Sequence, residues 1–95
     1  MFEKKFYQVR FTVNFIPIQK YLFLPDYIEI NPLYLKEHIH IFCKENNIKC
    51  KKIRLYDCLS DLESYVKIYG TKNDQIKLYN FLRSTFSKYL EVKGI

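Results

Sequence analysis

Between Tyr7 and Phe15 apolar and polar residues alternate without a break. Tyr7, Val9, Phe11, Val13 and Phe15 take one side, and Gln8, Arg10, Thr12 and Asn14 take the other. A period of two over nine residues predicts a β-strand with one buried and one solvated face. The stretch that follows, "IPIQKYLFLPDYIEI" (16–30), is apolar but interrupted by Pro17 and Pro25, which suits one or two short extended pieces at a bend or an edge. Asn31-Pro32 then reads as a helix start, an Asn cap followed by Pro where its missing N–H costs nothing. Leu35, Ile39, Phe42 and Cys43 recur at helical spacing and form an inward stripe. Asn46-Asn47 suits the exit, because Asn tolerates the left-handed backbone that ends many helices.

The second half repeats the grammar. Ile53 and Leu55 alternate with Lys52, Arg54 and Tyr56, predicting a strand over 52–56, and "CLSD" (58–61) makes a turn. Val66 and Ile68 alternate with Tyr65, Lys67 and Tyr69 in a third strand over 64–69, which Gly70 stops. Thr71-x-x-Asp74 resembles a capping box, with Asn73 as a rival cap. A helix follows with Ile76, Tyr79, Leu82, Phe86, Tyr89 and Leu90 on one side, and "LEVKGI" suits a short last strand.

These elements predict a single α+β domain over 1–95, a two-layer sandwich of one antiparallel sheet with two helices on one face. The order is similar to the ferredoxin-like βαββαβ plan. Counting the 16–30 stretch as a true strand gives the alternative, ββαββα.

Composition adds two constraints. There is no Ala or Trp, only two Gly, and 24 of 95 residues are Ile or Lys, a balance expected of AT-rich DNA. It suits a low-GC bacterium, a virus or a mobile element, and hence an accessory protein of such an element. Net charge is +6 and clustered: residues 44–54 carry +4, residues 72–95 carry +3, and residues 55–71 carry −2. A basic, uneven surface is compatible with a polyanionic partner. Cys43, Cys50 and Cys58 include no CxxC and match no disulfide framework, and the N-terminus has no apolar signal region. The expectation is a reduced, cytoplasmic protein with no membrane partner and no metal or other cofactor.

His38, His40 and Cys43 in "EHIHIFCKEN" are the one group of potential ligands. On a helix His38 flanks the inward stripe while His40 points about 140° from Leu35, so the two imidazoles diverge. A helical metal site needs its histidines four apart. On a strand His38-Ile39-His40 would project both rings from one side, which resembles the paired metal-binding histidines of Rep and relaxase nucleases. That resemblance would imply metal-dependent DNA cleavage. The chain departs from it with Glu37 in place of an apolar residue and with a helix-starting Asn31-Pro32 just upstream. There is also no glycine-rich phosphate loop, no G-x-S-x-G, and no glycine cradle after the first strand of the kind acylphosphatases carry. The expectation is a protein that is not an enzyme and has no small-molecule substrate.

What stands out is the sheet face opposite the helices. Strand phase puts Arg10, Lys52, Arg54, Tyr56, Tyr65, Lys67 and Tyr69 there, with Glu63 at the margin. Bases stack on such rings at about 1–3 kcal/mol each while the cations follow phosphates, and RNA-recognition sheets work in this manner. The expectation is a small binding module for single-stranded DNA or RNA, acting as a homodimer. The alternative is a protein–protein interaction module, a homodimer or an accessory protein that blocks a host factor, since Tyr and Arg also favour protein interfaces.

Overall fold

The opening alternation forms strand β1 (Lys5–Val13), whose Val9, Phe11 and Val13 are almost wholly buried. The structure, a computed structural model, describes residues 3–14, 32–56, 61–87 and 89–94. The expectations for Phe15, for the 16–30 stretch and with it the ββαββα alternative, for the Asn31 cap and for most of the 58–61 turn lie outside the described residues. Helix α1 (Pro32–Glu45) follows, then β2 (Lys49–Arg54), β3 (Ser64–Gly70), α2 (Lys72–Thr85) and β4 (Leu90–Val92).

Helix α1 buries Leu35, Ile39 and Cys43, as the stripe predicts, and its exit is specified by Asn47. That residue adopts φ 56°, the left-handed region that Asn tolerates better than other side-chain-bearing residues. The Ile48 N–H donates to the Cys43 carbonyl at 2.8 Å and the Asn47 N–H to the Lys44 carbonyl at 3.3 Å, a Schellman pattern that satisfies two orphan carbonyls. The Asn46 amide adds a third bond, to the Phe42 carbonyl at 2.8 Å. Replacing Asn47 by Gly is expected to leave stability unchanged or slightly raised, whereas Ile there should cost about 1–2 kcal/mol. Urea midpoints at unchanged m value check both.

Helix α2 starts at the capping box. Thr71 Oγ1 accepts from the Asp74 N–H at 3.2 Å, and Asp74 Oδ2 accepts from the Thr71 N–H at 2.9 Å, so Thr71 rather than Asn73 is the cap. Gly70 is required beside it: a Cβ there would collide with the Asp74 carboxylate. Gly70→Ala therefore expels one half of the box, and we expect a loss of about 1–2 kcal/mol in chemical denaturation.

On α2 the inward residues are Gln75, Leu78 and Leu82, with Phe86 at the C-cap. Ile76, expected inside, is instead 38% exposed. The reason is Gln75, whose Nε2 donates to the Gln8 carbonyl at 2.8 Å. The Arg10 carbonyl, two residues along the same edge of β1, accepts from the Lys93 N–H. Gln8 lies past the end of β4, and a side chain takes over where the ladder stops. The polar residue thus holds an interior position and rotates the helix face by one residue. The helix also ends at Thr85, earlier than Tyr89 and Leu90; Leu90 is buried as the first residue of β4.

The sheet is antiparallel in the order β2-β3-β1-β4. Val9, Phe11, Val13, Val66 and Ile68 share one core with the inward residues of both helices, so both helices cover the same face. Phe42 of α1 stacks on Phe81 of α2 with ring centroids 4.2 Å apart, fixing the helices side by side. The result is an α+β protein whose described residues form an open four-stranded sheet. No helix among the described residues is long and apolar enough to cross a membrane.

Candidate nucleic-acid interface

With Val66 and Ile68 committed to the core, Tyr65, Lys67 and Tyr69 must project from the opposite face of β3. Register then fixes their neighbours. Tyr65 lies between Arg10 of β1 and Arg54 of β2, Lys67 between Gln8 and Lys52, and Tyr69 between Phe6 and Lys49. These are three rows across three strands, each row about 7 Å from the next along the chain and each strand about 4.8 Å from its neighbour. Arg10, Lys52, Arg54, Tyr65, Lys67 and Tyr69, all picked out by strand phase, are thereby brought together. Tyr56 is not part of the rows. It lies past the end of β2, half-buried, its N–H donating to the Ser64 hydroxyl at 2.8 Å while that hydroxyl donates back to its carbonyl at 3.2 Å.

Two members of the face escape sequence reasoning. Phe6 is 55% exposed, edge-on to Tyr69 at 5.1 Å between centroids, with the Lys67 ammonium 4.8 Å from its ring centre. It sits in the polar phase of β1, so a strict alternation ends the strand at Tyr7 and leaves Phe6 out. An exposed aromatic in the solvated phase is itself the signal that should extend the strand. Lys49 is hidden by a β-bulge: two steps of β2, from Cys50 to Lys52, match one step of β3, from Ile68 to Lys67. The inserted Lys51 reverses the phase, so that Lys49 and Lys52 share the outer face and Cys50 turns inward. The bulge also explains why β2 begins three residues before the expected Lys52.

Electrostatically the face is unbalanced. Arg10 approaches Glu63 at 3.9 Å with both side chains largely exposed, a contact worth well under about 1 kcal/mol. Among the described residues no other cation of the rows has an ion-pair partner. Lys52 and Lys67 stand directly opposite each other, an arrangement that destabilises a sheet rather than supporting it. The rows can therefore attract an anion, and the rings of Tyr65, Tyr69 and Phe6 offer apolar faces beside the cations.

The histidines belong elsewhere. Both lie on α1 and both are exposed, with the His38 ring edge-on to Phe86 at 5.9 Å. Two positions apart on a helix they diverge by about 160°, and no group of three or more His, Cys, Asp or Glu among the described residues is arranged to hold a metal ion. A Tyr-x-x-Lys spacing, by which the Rep and relaxase nucleases supply their nucleophile, does occur at Tyr69 and Lys72. It straddles the end of β3 and the first turn of α2, and the Lys72 ammonium lies over the Tyr7 ring at 5.9 Å, on the helix side of the sheet from Tyr69.

No family model, no curated protein and no solved structure matches the chain.

Proposed function

We propose that the chain is a non-catalytic binding module whose open sheet face takes single-stranded nucleic acid. The observation that carries this is the middle row, where Lys52 and Lys67 are cross-strand neighbours in register between the Tyr65 and Tyr69 rows and the Lys67 ammonium lies over the Phe6 ring. Two neighbouring cations without an ion-pair partner among the described residues favour an anion beside them, and a phosphate in this row would be drawn to both. Bases on either side of that phosphate would stack on the tyrosines and on Phe6. Arg10, Arg54 and Lys49 would extend the contact to neighbouring phosphates. The scaffold we propose is a ferredoxin-like one, supported by the βαββαβ order and by β3 lying antiparallel between β1 and β2.

Titration of a labelled single-stranded oligonucleotide at several salt concentrations tests the reading. Three to five phosphate contacts predict log K falling against log salt with a slope of roughly −2 to −3.5. Absence of binding at about 50 mM salt, or binding without salt dependence, sinks it. A second reading, pairing of two copies through the same face, is favoured by the exposure of Phe6 beside Tyr69. Light scattering that gives twice the chain mass, together with no oligonucleotide binding, would select it.

A further inference from the structure

The bulge that turns Lys52 outward also turns Cys50 inward, opposite Ile68 and toward α1. Cys43 is the last inward residue of that helix and is 2% exposed, whereas Cys50 is only half-buried at the edge of the same core. The chain between them is held short by the Schellman exit, and both side chains enter one core, Cys43 from the helix and Cys50 from the strand that follows it.

The two sulfurs are not equivalent. The hydrogen bond from Cys43 favours the thiolate at Cys50, against its partial burial, and the Lys52 backbone N–H adds to that effect. The same bond, burial and the charges of Cys50 and Asp74 all keep Cys43 protonated. A partly accessible nucleophile thus faces a sheltered thiol, the arrangement of an attacking and a resolving cysteine.

We propose that Cys50 and Cys43 form an oxidisable dithiol, a modification site at which a hydroperoxide is consumed and an intramolecular disulfide is made. The Cys50 thiolate attacks one peroxide oxygen, the O–O bond breaks, and the departing hydroxide takes up the proton that Cys50 had released, giving water. Cys50 is then a sulfenic acid. The Cys43 sulfur displaces its hydroxyl, which leaves with the Cys43 proton as a second water while the S–S bond forms. Two electrons pass from the sulfurs to the peroxide, so two thiols and one hydrogen peroxide yield one disulfide and two waters. Forming the bond brings the two sulfurs to about 2.05 Å across one helix exit.

The test uses the full chain carrying Cys58→Ser, treated with one equivalent of hydrogen peroxide, quenched by alkylation and mapped by mass spectrometry. The expected result is a loss of about 2 Da with both remaining thiols withdrawn from alkylation and a Cys43–Cys50 linkage in the peptide map. With Cys43→Ser added, Cys50 should instead gain one oxygen and be captured by dimedone. With Cys50→Ser added, oxidation of Cys43 should slow by about ten-fold or more, because it is buried and protonated. Disulfide-linked dimers in place of the internal bond, or loss of thiol no faster than that of free glutathione at the same dose, would overturn the proposal. The first measurement needs neither further substitution, so a variant that fails to fold leaves the answer intact.

Discussion

Lys52→Glu combined with Lys67→Glu is expected to weaken single-stranded DNA binding by about a hundred-fold or more at low salt, at about 1.4 kcal/mol or more per reversed site. The same change should flatten the salt dependence by about 1.4 in slope, two phosphate contacts at roughly 0.7 each. Stability provides an internal control, because the two positions are direct cross-strand neighbours. Lys52→Glu alone places an opposite charge beside Lys67, keeps the Lys67–Phe6 contact, and should stabilise the fold by a few tenths of a kcal/mol, up to about 1. The double variant restores a like-charge pair and loses the Lys67–Phe6 contact, and should fall back to the starting stability or slightly below it. A protein that binds less well while folding better has lost a site and not its structure. If single and double variants bind like the parent chain, Lys52 and Lys67 contact no phosphate.

Phe11→Ala is expected to have the largest effect on the fold itself, about 3–5 kcal/mol. Phe11 has no exposed surface and lies on β1, opposite Ser64 of β3 and Val92 of β4, so the void cannot be filled by a loop closing in. For a domain whose total stability is on the order of 5–15 kcal/mol, the variant should show a large drop in urea midpoint. A cost below about 1 kcal/mol would mean that the core around β1 rearranges freely, which its flanking strands argue against.

Much of this architecture was legible in the chain. The alternation in 7–13 and 64–69, the Leu35–Ile39–Cys43 stripe, the Asn47 exit and the Thr71–Asp74 box each state a local preference that the packing agrees with. The departures have physical causes that sequence period alone does not reveal. Gln75 is interior because β4 is too short to cover the Gln8 carbonyl, a matter of strand length in another part of the chain. Ile76 faces outward as a consequence. For the candidate face, six of the seven expected side chains fall into the three rows, because period-two logic is reliable wherever one face is buried. Lys49 was missed because a one-residue bulge inverts phase, and Phe6 because an apolar ring in a solvated position looks like the end of a pattern. Both omissions enlarge the cationic and aromatic surface and leave its location unchanged.

Nucleic-acid binding by the sheet face requires a polyanion to touch these rows, so the most direct measurement is an amide-resolved NMR titration with a short single-stranded oligonucleotide. Shifts should concentrate at Phe6, Arg10, Lys49, Lys52, Arg54, Tyr65, Lys67 and Tyr69, and leave the exposed positions of α1 and α2 unmoved. Shifts that instead cluster around His38, His40 and Lys44 on α1, or that are absent throughout, would contradict it.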